Sequence, residues 1–117
     1  MKMMNNIVRD KSFCFAKRIV KLYRYLRKTK KEHTMSQQLL HAGTSIGANV
    51  AESEHAQSRP DFLSKLNIAL KEAAETDYWL RLLYETDYLS PQAFQSIMAD
   101  CRKIESLLAS IVKTMKQ

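Results

Sequence analysis

Glycine and proline together occupy only four of 117 positions. An all-β chain of this size would need them at every hairpin, so the shortage directs the chain toward helices. Where the four fall is equally informative. Both prolines sit just behind a serine, in Ser58-Arg59-Pro60-Asp61 and in Ser90-Pro91. Each pattern is a helix start: a hydroxyl to cap the first free amides, then a proline in the first turn, where a missing N–H costs nothing. Asp61 adds a negative charge near the positive end of the helix dipole. Both glycines, Gly43 and Gly47, lie inside a segment of helical periodicity, where each costs about 1 kcal/mol relative to alanine. Close approach of a neighbouring helix is the simplest reason for them, with a kink or a backbone contact to a ligand as the alternatives.

Apolar periodicity divides the chain into four segments. Helix one is predicted over about 9–30, with Asp10 or Asn6 as its cap. Phe15, Ile19, Leu22 and Leu26 share one arc, and Lys17, Lys21, Arg24 and Lys28 share the opposite one. Helix two is predicted over about 35–57, capped by Thr34 or Ser36, with Met35, Leu39, Ala42, Ile46 and Val50 as its core stripe. Gly43, Gly47 and Ala51 form a row of small residues beside that stripe and are the candidate close-packing positions. Helix three, over about 59–86, is roughly 40 Å long. Its buried face is predicted to carry Phe62, Leu63, Leu66, Ala69, Leu70, Ala73, Ala74, Leu80 and Tyr84. Ile68, Trp79 and Leu82 recur on its reverse side, a candidate oligomer interface. Scattered surface hydrophobics are the plainer reading. Helix four, over about 91–115, places Phe94, Ile97, Cys101, Ile104, Leu108, Ile111 and Met115 at unbroken three-and-four spacing, a packing seam. Four helices on short connections pack most simply as one antiparallel up-down-up-down bundle, an all-α domain spanning residues 1–117. A chain of this length buries roughly two-thirds of its unfolded surface and needs no metal or disulfide to fold.

The formal charge is +7, and it is unevenly spread. Residues 1–33 hold eleven Lys and Arg against two acids, a net +9, while residues 34–117 hold eight against ten, a net −2. Such asymmetry points to a polyanionic partner, and a solvated, solubilising face is the bland alternative. The stripe Lys17, Lys21, Arg24 and Lys28 covers three turns, about 16 Å, with Arg18, Arg27, Lys30 and Lys31 nearby. These are the candidate nucleic-acid contacts, and Tyr23 and Tyr25 on the same helix are candidates to stack on bases, although Tyr23 borders the apolar face, where simple packing is the plainer reading. Nothing resembles a helix-turn-helix, a zinc finger or an RNA-recognition sheet, so backbone-driven, salt-sensitive binding of RNA is expected rather than sequence readout. An adaptor docking an acidic partner protein is the competing expectation.

Enzyme chemistry finds little to build on. Glu52-Ser53-Glu54-His55 contains Glu-x-x-His, half of a dimetal motif, but the second copy that such sites need is missing. His33 and His41 have no nucleophile to pair with. No cofactor or metal is expected, and no catalytic set. Asp77 and Arg81, spaced i, i+4 within the apolar arc of helix three, are predicted to form an ion pair. Cys14 and Cys101 have no metal-type spacing and are expected to be reduced packing thiols. The sequence after Lys2 lacks the apolar stretch of a secretory signal, so a cytoplasmic protein is expected. The longest uncharged run, residues 33–51, contains Gly-x-x-x-Gly, but Gln37, Gln38, His41 and Asn49 argue against a membrane span.

The stretch Ser36-Gln37-Gln38-Leu39-Leu40-His41-Ala42-Gly43-Thr44-Ser45-Ile46-Gly47-Ala48-Asn49-Val50-Ala51-Glu52 resembles the signature of the bacterial four-helix-bundle proteins known as 23S rRNA intervening-sequence proteins. Asp61-Phe62 through Lys71-Glu72-Ala73-Ala74-Glu75-Thr76-Asp77-Tyr78-Trp79-Leu80 is similar to their third helix, and the two stretches cover about half the chain. The family is named for reading frames found in insertions within 23S rRNA genes. It is also similar to the accessory variability protein of diversity-generating retroelements, a basic homopentamer associated with a reverse transcriptase and nucleic acid. The resemblance implies a ring of five bundles, which would cover the reverse patch of helix three. His41 stands where arginine is more usual, which weakens any cationic site on helix two. The family's pattern offers no catalytic residues to carry over.

Overall fold

The computed structural model describes the backbone of residues 2–116 and the side chains of residues 5–116. Four helices follow one another: α1 (Lys2–Lys28), α2 (Met35–Ser53), α3 (Arg59–Glu85) and α4 (Pro91–Met115). Each packs on its neighbours in sequence, and α1 closes the ring against α4, the least extensive of the four seams. The bundle measures 44 × 21 × 19 Å, its long axis being the length of one 27-residue helix.

The start of α1 departs from the expectation of Arg9. Val8, only 1% exposed, extends the core stripe of Phe15, Ile19 and Leu26 by two turns, so the helix is already running at Asn6 and Asp10 and neither caps it. Buried Ser12 is tolerated in this seam because its hydroxyl donates to the Arg9 carbonyl at 3.1 Å.

The α1–α2 corner holds a second departure. Lys31 takes a left-handed conformation (φ 56°), and the Glu32 amide donates back to the Leu26 carbonyl at 2.9 Å. The reversal tucks the Glu32 carboxylate under the start of α2, where it accepts from the amides of Thr34 (3.2 Å), Met35 (3.0 Å) and Ser36 (2.7 Å). Thr34 occupies the cap position without a side-chain capping bond, and the Ser36 hydroxyl donates to the Glu32 carbonyl instead. Glu32 is therefore the cap that Thr34 and Ser36 were expected to supply. Burial by itself would raise its carboxyl, but the three backbone donors and Ser36 outweigh burial and hold it below the ordinary carboxylate value.

Helix α2 stops at Ser53, short of residue 57, because the chain then tightens into bonds from Glu54 to Ala51, His55 to Glu52 and Ala56 to Ser53. That turn delivers Ser58 in an extended conformation, its hydroxyl accepting from the Asp61 amide at 3.2 Å, while Asp61 accepts from the Gln57 amide at 3.1 Å. The arrangement is a capping box displaced by one residue, since Asp61 takes the amide before Ser58 rather than that of Ser58 itself. Ser90 caps α4 likewise, through the Ala93 amide at 3.2 Å.

The core stripes lie inward as expected on α1, α2 and α4, with Met98 and Val112 added to the α4 seam. On α3, Ala74 is exposed, and Thr76 and Leu83 are buried in its stead. Thr76 satisfies its hydroxyl on the Glu72 carbonyl at 2.7 Å. Tyr84 and Phe94 stack with ring centroids 4.2 Å apart and close the α3–α4 end. Asp77 does not pair with Arg81, which is exposed; it reaches Arg102 of α4 at 3.4 Å, a partner on the facing helix. Cys101 is a buried packing thiol, but Cys14 is exposed, because position 14 faces away from the core arc of α1.

The glycines answer to close approach. A Cβ on Gly43 would lie 2.7 Å from Cγ1 of Ile19, and one on Gly47 would lie 3.2 Å from the Ser12 carbonyl oxygen. Ala51 is exposed and takes no part, so the intimacy of the α1–α2 seam rests on two small residues rather than three.

Candidate nucleic-acid interface

That seam fixes which way α1 faces. With Ile19 and Ser12 held against the glycines, Lys17, Lys21, Arg24 and Lys28 all point to solvent. Among the described residues, none of the four has a carboxylate within ion-pair distance. Lys30 and Lys31, in the turn beyond, are exposed too.

Two of the expected cations have other employment. Arg18 bridges α1 to α4, bonding the Asp100 carboxylate at 2.5 Å, the Ser96 hydroxyl at 2.9 Å and the Ser96 carbonyl at 3.3 Å. It belongs to the closing seam rather than to the outward stripe. Arg27 is half-buried and lies over the Tyr23 ring, 5.3 Å from its centroid. Tyr23, Arg24, Arg27 and Lys28 frame a shallow recess of about 280 Å³, in which three cations surround one aromatic ring. Tyr25 is more open, at 43% exposure, but on another face of the helix.

Sequence reasoning overlooked Phe13. Its ring is 65% exposed, the most of any large apolar side chain described, and the Lys17 ammonium sits 5.4 Å from its centroid. The signal was available, since at 100° per residue Phe13 falls within about 40° of Lys17 and on the cationic side.

On α3, Ile68 is 39% exposed, while Trp79 and Leu82 are half-buried. Trp79 donates to Glu75 at 3.3 Å and meets the edge of Tyr78, itself 54% exposed, with centroids 5.0 Å apart. This patch is apolar with an acidic border, and it lies on a different helix from the cationic stripe.

Among the described residues, two titratable groups of the α3–α4 seam are strongly shifted. Burial, first of all, pushes the Cys101 thiol far up, and the charges of Glu105 and Asp77 add to the effect, so it is no nucleophile. Glu105 is raised to about 7, by burial and then by a hydrogen bond to Asp77 and that group's charge. Glu52 pairs with Lys65 at 3.2 Å, and among the described residues no three His, Cys, Asp or Glu side chains converge as a metal site would require. Among the described residues, no helix is long and apolar enough to cross a membrane.

Comparison with known proteins agrees with this architecture. No curated protein matches the chain. A crystal structure at 1.70 Å of a protein of unknown function from the S23 ribosomal protein family of Bacteroides thetaiotaomicron superposes with a TM-score of 0.93 at 55% identity, covering 94% of this chain and 98% of that one. Residues 4–110 match the family model described as 23S rRNA-intervening sequence protein, a span that takes in the glycine seam, the cationic face and all but the outer ends of α1 and α4, and the chain belongs to that family.

Proposed function

We propose that this chain is a non-enzymatic, oligomeric protein of the bacterial cytoplasm that associates with RNA through the outward face of α1. The observation that carries this reading is the stripe Lys17, Lys21, Arg24 and Lys28, four exposed cations without a carboxylate partner among the described residues. Cations held for stability would be expected to find acids, as Arg18 and Arg102 do. A polyanion neutralises such a row and releases its own counterions, which makes binding favourable and salt-dependent. The family name, with its reference to intervening sequences of 23S rRNA, favours RNA among polyanions. The apolar patch of Ile68, Trp79 and Leu82 supplies a self-association surface, and a homopentameric ring is the assembly that the family resemblance implies. A ring would set several cationic faces side by side and multiply their hold on one long strand.

Reversing Lys17, Lys21, Arg24 and Lys28 to Glu should abolish RNA binding in a low-salt titration while the helical circular dichroism is retained, because all four side chains are solvent-facing. Unchanged affinity would refute the reading. If reversal instead released an acidic protein that otherwise co-purified after nuclease treatment, the adaptor role would replace it. Native mass of the wild-type protein at micromolar concentration tests the ring separately, and a monomer would remove it.

A further inference from the structure

Helix α1 repeats one small device, once on its outward side and once, half-buried, where that side meets the core arc. Phe13 carries the Lys17 ammonium over its ring one turn later, and Tyr23 carries the Arg27 guanidinium one turn later, at 5.4 Å and 5.3 Å respectively. The pairs are ten residues apart, about 15 Å along the helix, with Lys21 between them and Arg24 beside the second. One ring stands 65% open to water, and the other edges a recess of about 280 Å³ shared with Arg24, Arg27 and Lys28.

We infer that α1 takes single-stranded rather than duplex RNA, with an unpaired base stacked on Phe13 and a second nucleotide seated at the Tyr23 recess. This rests on the reading of α1 as an RNA face. A duplex offers that face phosphates, 2′-hydroxyls and base edges, but along its length the base faces are stacked on one another and cannot present a ring to Phe13. Cations alone would then suffice, and an exposed phenyl ring would contribute nothing. A single strand offers both partners at once: π-faces for the rings, and phosphates for Lys17, Lys21, Arg24 and Lys28. At Phe13 the Lys17 ammonium already sits over a ring that is 65% exposed, so a base stacking there brings its own phosphate toward a positive charge, and at Tyr23 three cations edge the recess. Neither device reads a base edge, so binding is tolerant of sequence.

The test compares a short oligouridylate with a blunt RNA duplex of equal length, by fluorescence anisotropy at low salt. Wild type should prefer the oligouridylate. Phe13→Ala should weaken it by about 5- to 100-fold, leave the duplex unaffected and leave thermal stability unchanged, whereas Phe13→Tyr should retain binding. Phe13→Trp should show quenching by unlabelled oligouridylate beyond that of wild type, whose only tryptophan is Trp79. An equal loss for both RNAs, or no loss for either, overturns the inference. So does a fall in native mass for Phe13→Ala at unchanged RNA affinity, which would make the ring a seat for a second copy of the chain. If the fourfold charge reversal abolishes binding while Phe13→Ala does nothing, only this inference fails. If the reversal itself has no effect, the RNA reading fails and carries this one with it.

Discussion

Adding one methyl group at Gly43 tests what holds α1 against α2. The new Cβ would lie 2.7 Å from Cγ1, 2.8 Å from Cγ2 and 3.0 Å from Cδ1 of Ile19, a side chain with no exposure to solvent. Cγ1 and Cγ2 are the branch atoms of a residue confined to essentially one χ1 rotamer in a helix, so they cannot swing aside. Either Ile19 leaves its rotamer or the helices part. Overpacking of this kind costs about 3 kcal/mol at the upper end of its range. The gain in helix propensity from Gly to Ala returns about 1 kcal/mol. Gly43→Ala should therefore destabilise the bundle by about 2 kcal/mol and lower Tm by roughly 8 °C. Ile19→Ala removes all three offending atoms, itself costing about 2–5 kcal/mol. In that background Gly43→Ala should change sign and stabilise by about 1 kcal/mol, which makes the coupling about 3 kcal/mol. Urea unfolding of the four proteins of this cycle, followed by helical circular dichroism, measures each quantity. A stabilising Gly43→Ala in the wild-type background, or the same cost in both, would show that the glycine is not there for Ile19.

Two further predictions concern carboxylates. Glu32→Gln keeps the shape of the α2 cap but loses its charge and one acceptor, and should cost about 1–2 kcal/mol. Because the Glu32 carboxyl is held low when folded, its contribution is present above the ordinary value of 4.5 and lost as pH falls through the lowered one, so the variant should flatten the acid limb of a Tm–pH profile; an unchanged limb would count against the capping role. Glu105 has the opposite sign: raised from 4.5 to about 7, it favours the folded state below the ordinary value and loses that contribution as pH rises through 7. Solvent contact screens the pair, so the decline is about 1 kcal/mol, and Glu105→Gln should abolish it in urea titrations between mildly acid and mildly alkaline buffer.

Helix number, order and core stripes are readable from periodicity because burial is decided face by face along each helix. The two serine-proline starts locate α3 and α4 to within a residue, since a local pattern governs a local event. What periodicity cannot rank is a choice between partners. Asp77 has Arg81 one turn away on its own helix, yet it takes Arg102, 25 positions on, because α4 faces it across the seam. The same holds for Arg18, which the charge pattern counts among the contacts beside the outward stripe and which α4 claims. Glu32 caps α2 only because Lys31 turns left-handed before it, and nothing in the residue type of Lys31 announces that. Within the candidate site, the four stripe cations are visible in a helical projection, whereas the recess at Tyr23 needs the rotamers of Arg24, Arg27 and Lys28.

The uneven seams of the bundle have a mechanical consequence. Three of them join helices consecutive in the chain, which keeps contact order low and favours rapid assembly. The fourth fastens the two ends of the domain through Arg18 and Asp100, 82 positions apart, and it is the thinnest. Helix α1 thus has a stiff backing along its glycine-lined flank and a compliant edge along α4. The cationic surface is mounted like a door leaf: firmly hung on α2, and latched to α4 among the described polar contacts by Arg18.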